Sequence, residues 1–244
     1  TVEDNIAPTA LCQDYSIALD SFGNALIDTT LINNGSNDNC GIDTMYLDIY
    51  NFDCNQIGLN TVELFVQDLS GNLSQCQATV EILDEIAPTA LCQDITVALD
   101  DLGVATILVG QIDNGSFDDC ALDTLFLDQY DFDCSDIGVN IISLTAVDES
   151  GNSTDCNATV LVEDNTPPIA LCQDIIVQLD INGLVSITAD MVNDNSTDNC
   201  GILSISVNPS DFDCDNVGSN SVTLTVADEN GNSSDCTANV QVED

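Results

Sequence analysis

The chain has 244 residues, of which 43 are Asp or Glu and none is Lys, Arg or His, for a formal charge of -43. No side-chain salt bridge is possible, and nothing in the chain can neutralise phosphate, so nucleic acid is excluded as a partner. With 44% hydrophobic residues in a regular pattern it is no disordered acidic tail, and no apolar run approaches the ~20 residues that span a bilayer.

The stretch Asp4-Asn5-Ile6-Ala7-Pro8-Thr9-Ala10-Leu11-Cys12-Gln13-Asp14 returns as Asp84 to Asp94 and, slightly changed, as Asp164 to Asp174. The copies lie 80 residues apart without insertion or deletion. A period that long exceeds the ~20–50 residues of solenoid repeats, so each repeat is expected to be a domain with its own core. The expected domains are 4–83, 84–163 and 164–243. The chain also starts and stops in the same register, as a window on a longer array would.

The third repeat shows the element pattern. Ile175, Val177 and Leu179 form a mostly buried strand. Asp180-Ile181-Asn182-Gly183 is a turn, and Leu184 to Thr188 is a second strand. Asp190 to Asn199 reads as a polar loop. Leu203, Ile205 and Val207 alternate with polar residues, and Asn208-Pro209-Ser210-Asp211 turns the chain into a short return through Phe212. Val222, Leu224 and Val226 form another alternating strand. Asp228-Glu229-Asn230-Gly231-Asn232 is a hairpin loop, with Gly231 suited to positive φ. Ala238, Val240 and Val242 close the repeat. No segment has helical periodicity over a useful length. The expected fold class is all-β: three tandem immunoglobulin-like β-sandwich domains, disulfide-stapled, with six or seven short strands each.

Tracing strand directions puts the Asn193–Asn199 loop and the Asp228–Asn232 hairpin at the upstream end of the sandwich, beside the linker. The Asp180–Gly183 turn and the Phe212–Gly218 segment fall at the downstream end.

Twelve cysteines keep the 80-residue register. They include no C-x-x-C pair, and the chain has no His, which argues against zinc. Disulfides in an oxidising, extracellular setting are the expectation, with no free thiol left over. The first and last strands of an immunoglobulin-like sandwich run parallel and adjacent. That predicts Cys12–Cys76, Cys92–Cys156 and Cys172–Cys236. Elimination leaves Cys40–Cys54, Cys120–Cys134 and Cys200–Cys214.

Pro-x-x-x-Cys, Asp198-Asn199-Cys200-Gly201, Gly218-Ser219-Asn220-Ser221-Val222-Thr223-Leu224 and Asp228-Glu229-Asn230-Gly231-Asn232-Ser233-Ser234-Asp235-Cys236 resemble the hyalin-repeat (HYR) domain. The likeness is closest to its four-cysteine form in long surface proteins of Bacteroidota. It covers all three repeats, although the second has Asp119-Cys120-Ala121 where the others read Asn-Cys-Gly. The resemblance implies an immunoglobulin-like fold and a role as an extracellular spacer or adhesive stalk, and it implies no catalytic residue.

An enzyme is not expected, because only carboxylates could act and threefold repetition argues against a single active site. The acids point instead to a hard cation with oxygen ligands, calcium above all. At the junction before the third repeat the expected ligands are Glu163, Asp164 and Asn165 from the linker, Asp198 and Asp228 from loops, and Asp100 and Asp133 from the preceding repeat. One repeat earlier they are Asp84, Glu85, Asp118, Asp148, Asp20 and Asp53. The first repeat carries Asp4, Asp38 and Asp68 at the matching places. The Asp-Asn-x-x-Pro linker also resembles that of cadherins, where calcium rigidifies domain junctions. The expected function is structural: a calcium-stiffened rod in a surface filament or adhesin stalk, with calcium ions and other copies or further repeats of the chain as partners. The alternatives are a module that binds a glycan or protein, and an acidic surface that binds mineral.

Overall fold

A computed structural model describes residues 3–244. The first repeat contains β1 (Tyr15–Ala18), β2 (Asn24–Leu26), β3 (Ile42–Leu47), β4 (Asn51–Asp53), β5 (Gly58–Asp68) and β6 (Leu73–Leu83). The second contains β7 (Ile95–Ala98), β8 (Val104–Thr106), β9 (Leu122–Leu127), β10 (Asp131–Asp133), β11 (Gly138–Asp148) and β12 (Ser153–Glu163). The third contains β13 (Ile175–Gln178), β14 (Leu184–Ser186), β15 (Ile202–Asn208), β16 (Asp211–Asp213), β17 (Gly218–Asp228) and β18 (Ser233–Glu243).

Each repeat builds one four-stranded sheet, ordered β1-β6-β5-β3, β7-β12-β11-β9 and β13-β18-β17-β15, and one two-stranded sheet, β2-β4, β8-β10 and β14-β16. First and last strands pair in parallel, as in Val177 opposite Val242. The long hairpin strands pair antiparallel, with Val222 opposite Ala238 and Leu224 opposite Cys236. This is an all-β chain of three tandem immunoglobulin-like sandwiches.

The core follows from the period-two alternation. Val222, Leu224 and Val226 point to one face of β17 and are at most 1% exposed. Phe52, Phe132 and Phe212 plug the centre of each small sheet. Removing one such side chain from water is worth about 1.5–3 kcal/mol. With cores this small, disulfides are a natural supplement.

The structure departs from the sequence reading in the stretch after each second strand. A single helical turn stands there: Thr29–Ile32, Val109–Ile112 and Ala189–Val192. Four residues are too few to show a helical period. In the first repeat Asp28 caps the turn, its Oδ1 accepting from Thr30 N–H at 2.8 Å. The turn buries one side chain each time, Ile32, Ile112 or Val192.

Two compact units divide the chain. The first runs to Cys92 and adds Asp113–Phe126 and Leu144–Cys156. The second holds Gln93–Ile112, Leu127–Ser143 and Asn157–Asp244. Each unit therefore contains one complete junction between successive repeats. Among the described residues no helix is long and apolar enough to cross a membrane.

Candidate metal centre

Three loops converge at the upstream end of each repeat. The linker before the proline supplies Asp4, Asp84 or Asp164. The loop before the second cysteine supplies Asp38, Asp118 or Asp198. The end of the long hairpin strand supplies Asp68, Asp148 or Asp228. In each triad one carboxylate oxygen from every member lies within 4.8 Å of the other two. Asp68, Asp84, Asp148, Asp164 and Asp228 are buried.

The hairpin aspartate is held by its own turn. Asp228 Oδ1 accepts from the N–H of Asn230 at 2.9 Å and of Asn232 at 2.8 Å, and Oδ2 accepts from Asn232 Nδ2 at 2.8 Å. The same amide donates to the carbonyl of Asp164 at 3.0 Å, which locks hairpin to linker. Asn152 links Asp84 and Asp148 in the same way, and Asn72 links Asp4 and Asp68. Burial works against ionisation of Asp68 and Asp228. The donors of Asn72 and Asn232, with the loop N–H groups, outweigh it and hold both carboxyls below the usual carboxylate range.

The loop aspartate is oriented by the backbone that follows it. Asp198 Oδ2 accepts from Cys200 N–H and Gly201 N–H, and Asp38 and Asp118 repeat the arrangement. Their other oxygens, Asp38 Oδ1, Asp118 Oδ1 and Asp198 Oδ1, are buried without a hydrogen-bond partner, as is Asp4 Oδ2. Buried polar atoms are nearly always satisfied. Here the unsatisfied atom recurs at the same place in three repeats, beside two further carboxylates. An oxygen-only set with orphaned buried oxygens fits a hard divalent cation, which takes about six to eight oxygens and relieves the mutual repulsion.

The second repeat adds a fourth acid. An oxygen of Asp119 lies within 4.8 Å of Asp84, in a group that also includes Cys120. Asp119 Oδ2 is buried and unpartnered. Desolvation, then the charges of Asp118, Asp84 and Asp148, push its carboxyl above the usual range. The matching Asn199 donates to Asp164 Oδ1 and to the carbonyl of Asp100, both at 3.1 Å, while its own Oδ1 is buried and unpartnered. In the first repeat a hydrogen bond with Asp4, then desolvation and the charges of Asp4, Asp38 and Asp68, push the Cys40 thiol up.

Several acids predicted as ligands stand elsewhere. Asp20 and Asp100 are exposed and close turns, each Oδ1 accepting two loop N–H bonds. Asp53 and Asp133 are exposed and cap the 3-10 turns Cys54–Gln56 and Cys134–Asp136. Glu85 and Asn165 are exposed, and Glu163 is half-buried at the end of β12. None of these joins a triad. Asn72, Asn152, Asn232, Asp119 and Asn199, absent from the predicted set, do take part. Their signal in the sequence is the Gly-Asn pair repeated in each hairpin and the residue just before each second cysteine.

The disulfides tie this end of one repeat to the repeat before it. Cys12–Cys76, Cys92–Cys156 and Cys172–Cys236 close within repeats, with Cα atoms 5.8, 5.8 and 5.9 Å apart. The predicted Cys40–Cys54, Cys120–Cys134 and Cys200–Cys214 do not form. Instead Cys54 bonds Cys120 and Cys134 bonds Cys200, each with Cα atoms 5.3 Å apart. Cys40 and Cys214 are exposed free thiols, which corrects the expectation that no thiol is free. The reason is strand length. β3 runs from the Cys40 loop toward Cys54 over six residues, about 20 Å at ~3.3 Å per residue. A disulfide tolerates a Cα separation of about 7 Å at most. The downstream cysteine of one repeat meets the upstream cysteine of the next.

Comparison with known proteins adds the following. Residues 163–242 match the HYR domain. No curated protein matches the chain. Among solved structures, a three-immunoglobulin-domain segment of titin is similar at 9% identity, covering 98% of this chain and 100% of that one with a TM-score of 0.43. Immunoglobulin domains 1–5 of Sidekick-1 are similar at 9% identity, covering 97% and 59% with a TM-score of 0.44. The protocadherin gamma B4 extracellular domain is similar at 12% identity, covering 98% and 50% with a TM-score of 0.39. The chain thus spans half of that protocadherin chain and 59% of the Sidekick-1 chain.

Proposed function

We propose that the chain is a structural, calcium-binding segment of an extracellular stalk or filament, in which each junction between repeats is set by a disulfide and a cation together. The observation that carries this reading is that both inter-repeat disulfides end two residues from a triad aspartate: Cys120 follows Asp118, and Cys200 follows Asp198. Covalent ties that run from repeat to repeat serve load transmission and fixed geometry, not catalysis. They also require an oxidising compartment. The cation supplies what they lack, neutralisation of three or four carboxylates brought to one place in a chain with no basic residue.

On this reading Asp84, Asp118, Asp119 and Asp148 hold one ion and Asp164, Asp198 and Asp228 another, with Asp4, Asp38 and Asp68 as a third centre. Carbonyls and water complete each shell. The result is a stiff spacer whose junctions loosen when calcium is withdrawn. The test is calcium titration of the whole chain by calorimetry, with thermal unfolding and small-angle scattering in calcium and in excess chelator. Saturable binding, a raised unfolding midpoint and a stiffer particle in calcium are expected. Identical midpoints and scattering in both conditions would leave the acids as plain surface.

A further inference from the structure

We infer that the two junctions between repeats depend on the cation to different degrees: the one between the first and second repeats is held by the ion, whereas the one between the second and third is held largely by the amides of Asn199 and Asn230. The inference rests on the metal-centre reading above and concerns how that centre controls the junctions.

The two junctions share a frame. In each, an asparagine ties hairpin to linker: Asn152 Nδ2 donates to the carbonyl of Asp84 at 3.1 Å, and Asn232 Nδ2 to that of Asp164 at 3.0 Å. The linker carboxylate accepts from the N–H two residues on, Ile86 or Thr166, at 3.1 Å. A backbone bridge then joins linker to loop. Thr89 N–H donates to the carbonyl of Phe117 at 2.8 Å, and Ile169 N–H to that of Thr197 at 2.7 Å. The difference lies in two side chains beside the linker carboxylate.

At the second junction both are asparagines. Asn199 Nδ2 donates to Asp164 Oδ1 and to the carbonyl of Asp100 in the preceding repeat, both at 3.1 Å. Asn230 Nδ2 donates to Asp164 Oδ2 at 3.0 Å. Each oxygen of this buried carboxylate therefore meets a neutral side-chain donor, and one of those donors also reaches across the junction. Hydrogen bonds to an ionised acceptor are the stronger kind, and these form with no ion.

At the first junction the same positions are Asp119 and Ser150. An ionised Asp119 has no proton to donate. It instead brings a carboxylate oxygen within 4.8 Å of one from Asp84. Its Oδ2 is buried with no hydrogen-bond partner, as is Asp118 Oδ1. Ser150 Oγ reaches Asp84 Oδ2 only at 3.5 Å. Beside them lies a cavity of about 120 Å³, lined by Asp84, Cys120, Glu149 and Ser150 from the second repeat and by Cys54 and Asn55 from the first. Like charges meet here where the second junction has donor and acceptor, and a divalent ion removes that repulsion. The third repeat keeps Asp164, Asp198 and Asp228 for an ion, one charge fewer, so it binds calcium more weakly.

Native-state hydrogen exchange of the full chain reads each junction separately, at the bridging amides of Thr89 and Ile169. Replacing calcium chloride by excess chelator is expected to speed exchange at Thr89 by about tenfold or more, and at Ile169 by less than about threefold. Asn199→Asp should raise the Ile169 response to about tenfold. Added calcium should restore protection in that variant, which a plain folding defect would not allow. Asp119→Asn should cut the Thr89 response to that of Ile169, because the new amide can donate to Asp84. Equal responses at the two parent amides, or an Ile169 response untouched by Asn199→Asp, would each overturn the inference. Calorimetric calcium titration of the same samples separates the two readings. Binding with equal responses sinks only the difference between junctions, whereas no binding sinks the metal centre and this inference with it.

Discussion

Asp198 Oδ2 accepts the backbone N–H of Cys200 at 2.8 Å, so the loop that carries the inter-repeat disulfide is held by the acid that faces the triad. The geometry divides that carboxylate between two tasks. Oδ2 is spent on the Cys200 and Gly201 backbone, Oδ1 is left buried and unpartnered, and the same carboxylate has an oxygen within 4.8 Å of those of Asp164 and Asp228. Staple and candidate cation site therefore share one loop.

Asp198→Asn separates the tasks. The amide oxygen can keep the two backbone bonds, while the charge is lost. Calcium affinity at that centre should fall by about tenfold or more, since affinity follows the count of charged ligands. In excess chelator the sign reverses. With one less carboxylate repelling its neighbours, the variant's unfolding midpoint should equal or exceed that of the parent. Titration calorimetry and thermal unfolding with and without chelator check both halves. A midpoint lowered equally in the two conditions would mean that Asp198 only orders its loop.

The sandwich was legible because alternation leaves little choice. Val62, Leu64 and Val66, like Val222, Leu224 and Val226, can share a buried face only as strands, and each Gly-Asn hairpin fixes the register between the two longest ones. Tracing strand directions also put the linker, the loop before the second cysteine and the hairpin at one end, and the triads lie there. The second set of disulfides differs from the expected pairs because the chain closes these cysteines across repeats, Cys54 to Cys120 and Cys134 to Cys200, and not within them. The same tracing had Cys200 upstream and Cys214 downstream in one sandwich, which already separates them. The turn acids Asp20, Asp53, Asp100 and Asp133 misled for another reason. Capping a turn and ligating an ion use the same residue type, and only side-chain direction tells them apart.

Gly103→Ala should disrupt the staple without touching a cysteine. The glycine has φ +74°, and a Cβ there would sit 2.7 Å from Cys134 Sγ and 3.0 Å from the carbonyl of Asn199. A left-handed conformation costs a residue with a Cβ about 1–2 kcal/mol before any clash. The expected outcome is a lower unfolding midpoint and two additional thiols, Cys134 and Cys200, reacting with an alkylating reagent. Gly138→Ala makes a useful control. Its φ is also positive, at +111°, but nothing lies within 4 Å of its Cβ position. It should lose the backbone contribution and keep the disulfide.

Replacing Cys172 and Cys236 by Ala removes the tie between the linker and the last strand of the third repeat, 64 residues apart. A native disulfide closing a loop of that length in a small secreted-type domain contributes about 2–5 kcal/mol. Denaturant unfolding should show that loss in the third repeat, while the Cys134–Cys200 bond persists by mass. A loss well under 1 kcal/mol would mean that the small core suffices alone.

The acids within the triads give the stability opposite dependences on pH. Asp68 and Asp228 have folded pKa values below that of an unfolded Asp, about 3.9, because their turn donors outweigh burial. Their contribution is present above about pH 4 and is lost as the pH falls through the lower folded value. Asp119 runs the other way. Desolvation and the charges of Asp118, Asp84 and Asp148 raise it, so its proton favours the folded state and its ionisation erodes stability as the pH rises through the raised value. In chelator, Asp119→Asn should therefore stabilise the chain near pH 7, and the gain should vanish near pH 3 where the parent acid is protonated. Asp228→Asn should do the reverse. An amide nitrogen would face the Asn232 donor, so stability near pH 7 falls, and the penalty shrinks in acid as the parent loses its own carboxylate. Calorimetric unfolding of the parent and the two variants between about pH 3 and 7 gives three curves. Parallel curves would show that neither acid titrates with folding. With calcium added, the Asp119→Asn gain should turn into a loss, because burial first and the neighbouring charges second raise this carboxyl, and a bound cation would offset both by taking the carboxylate as a ligand.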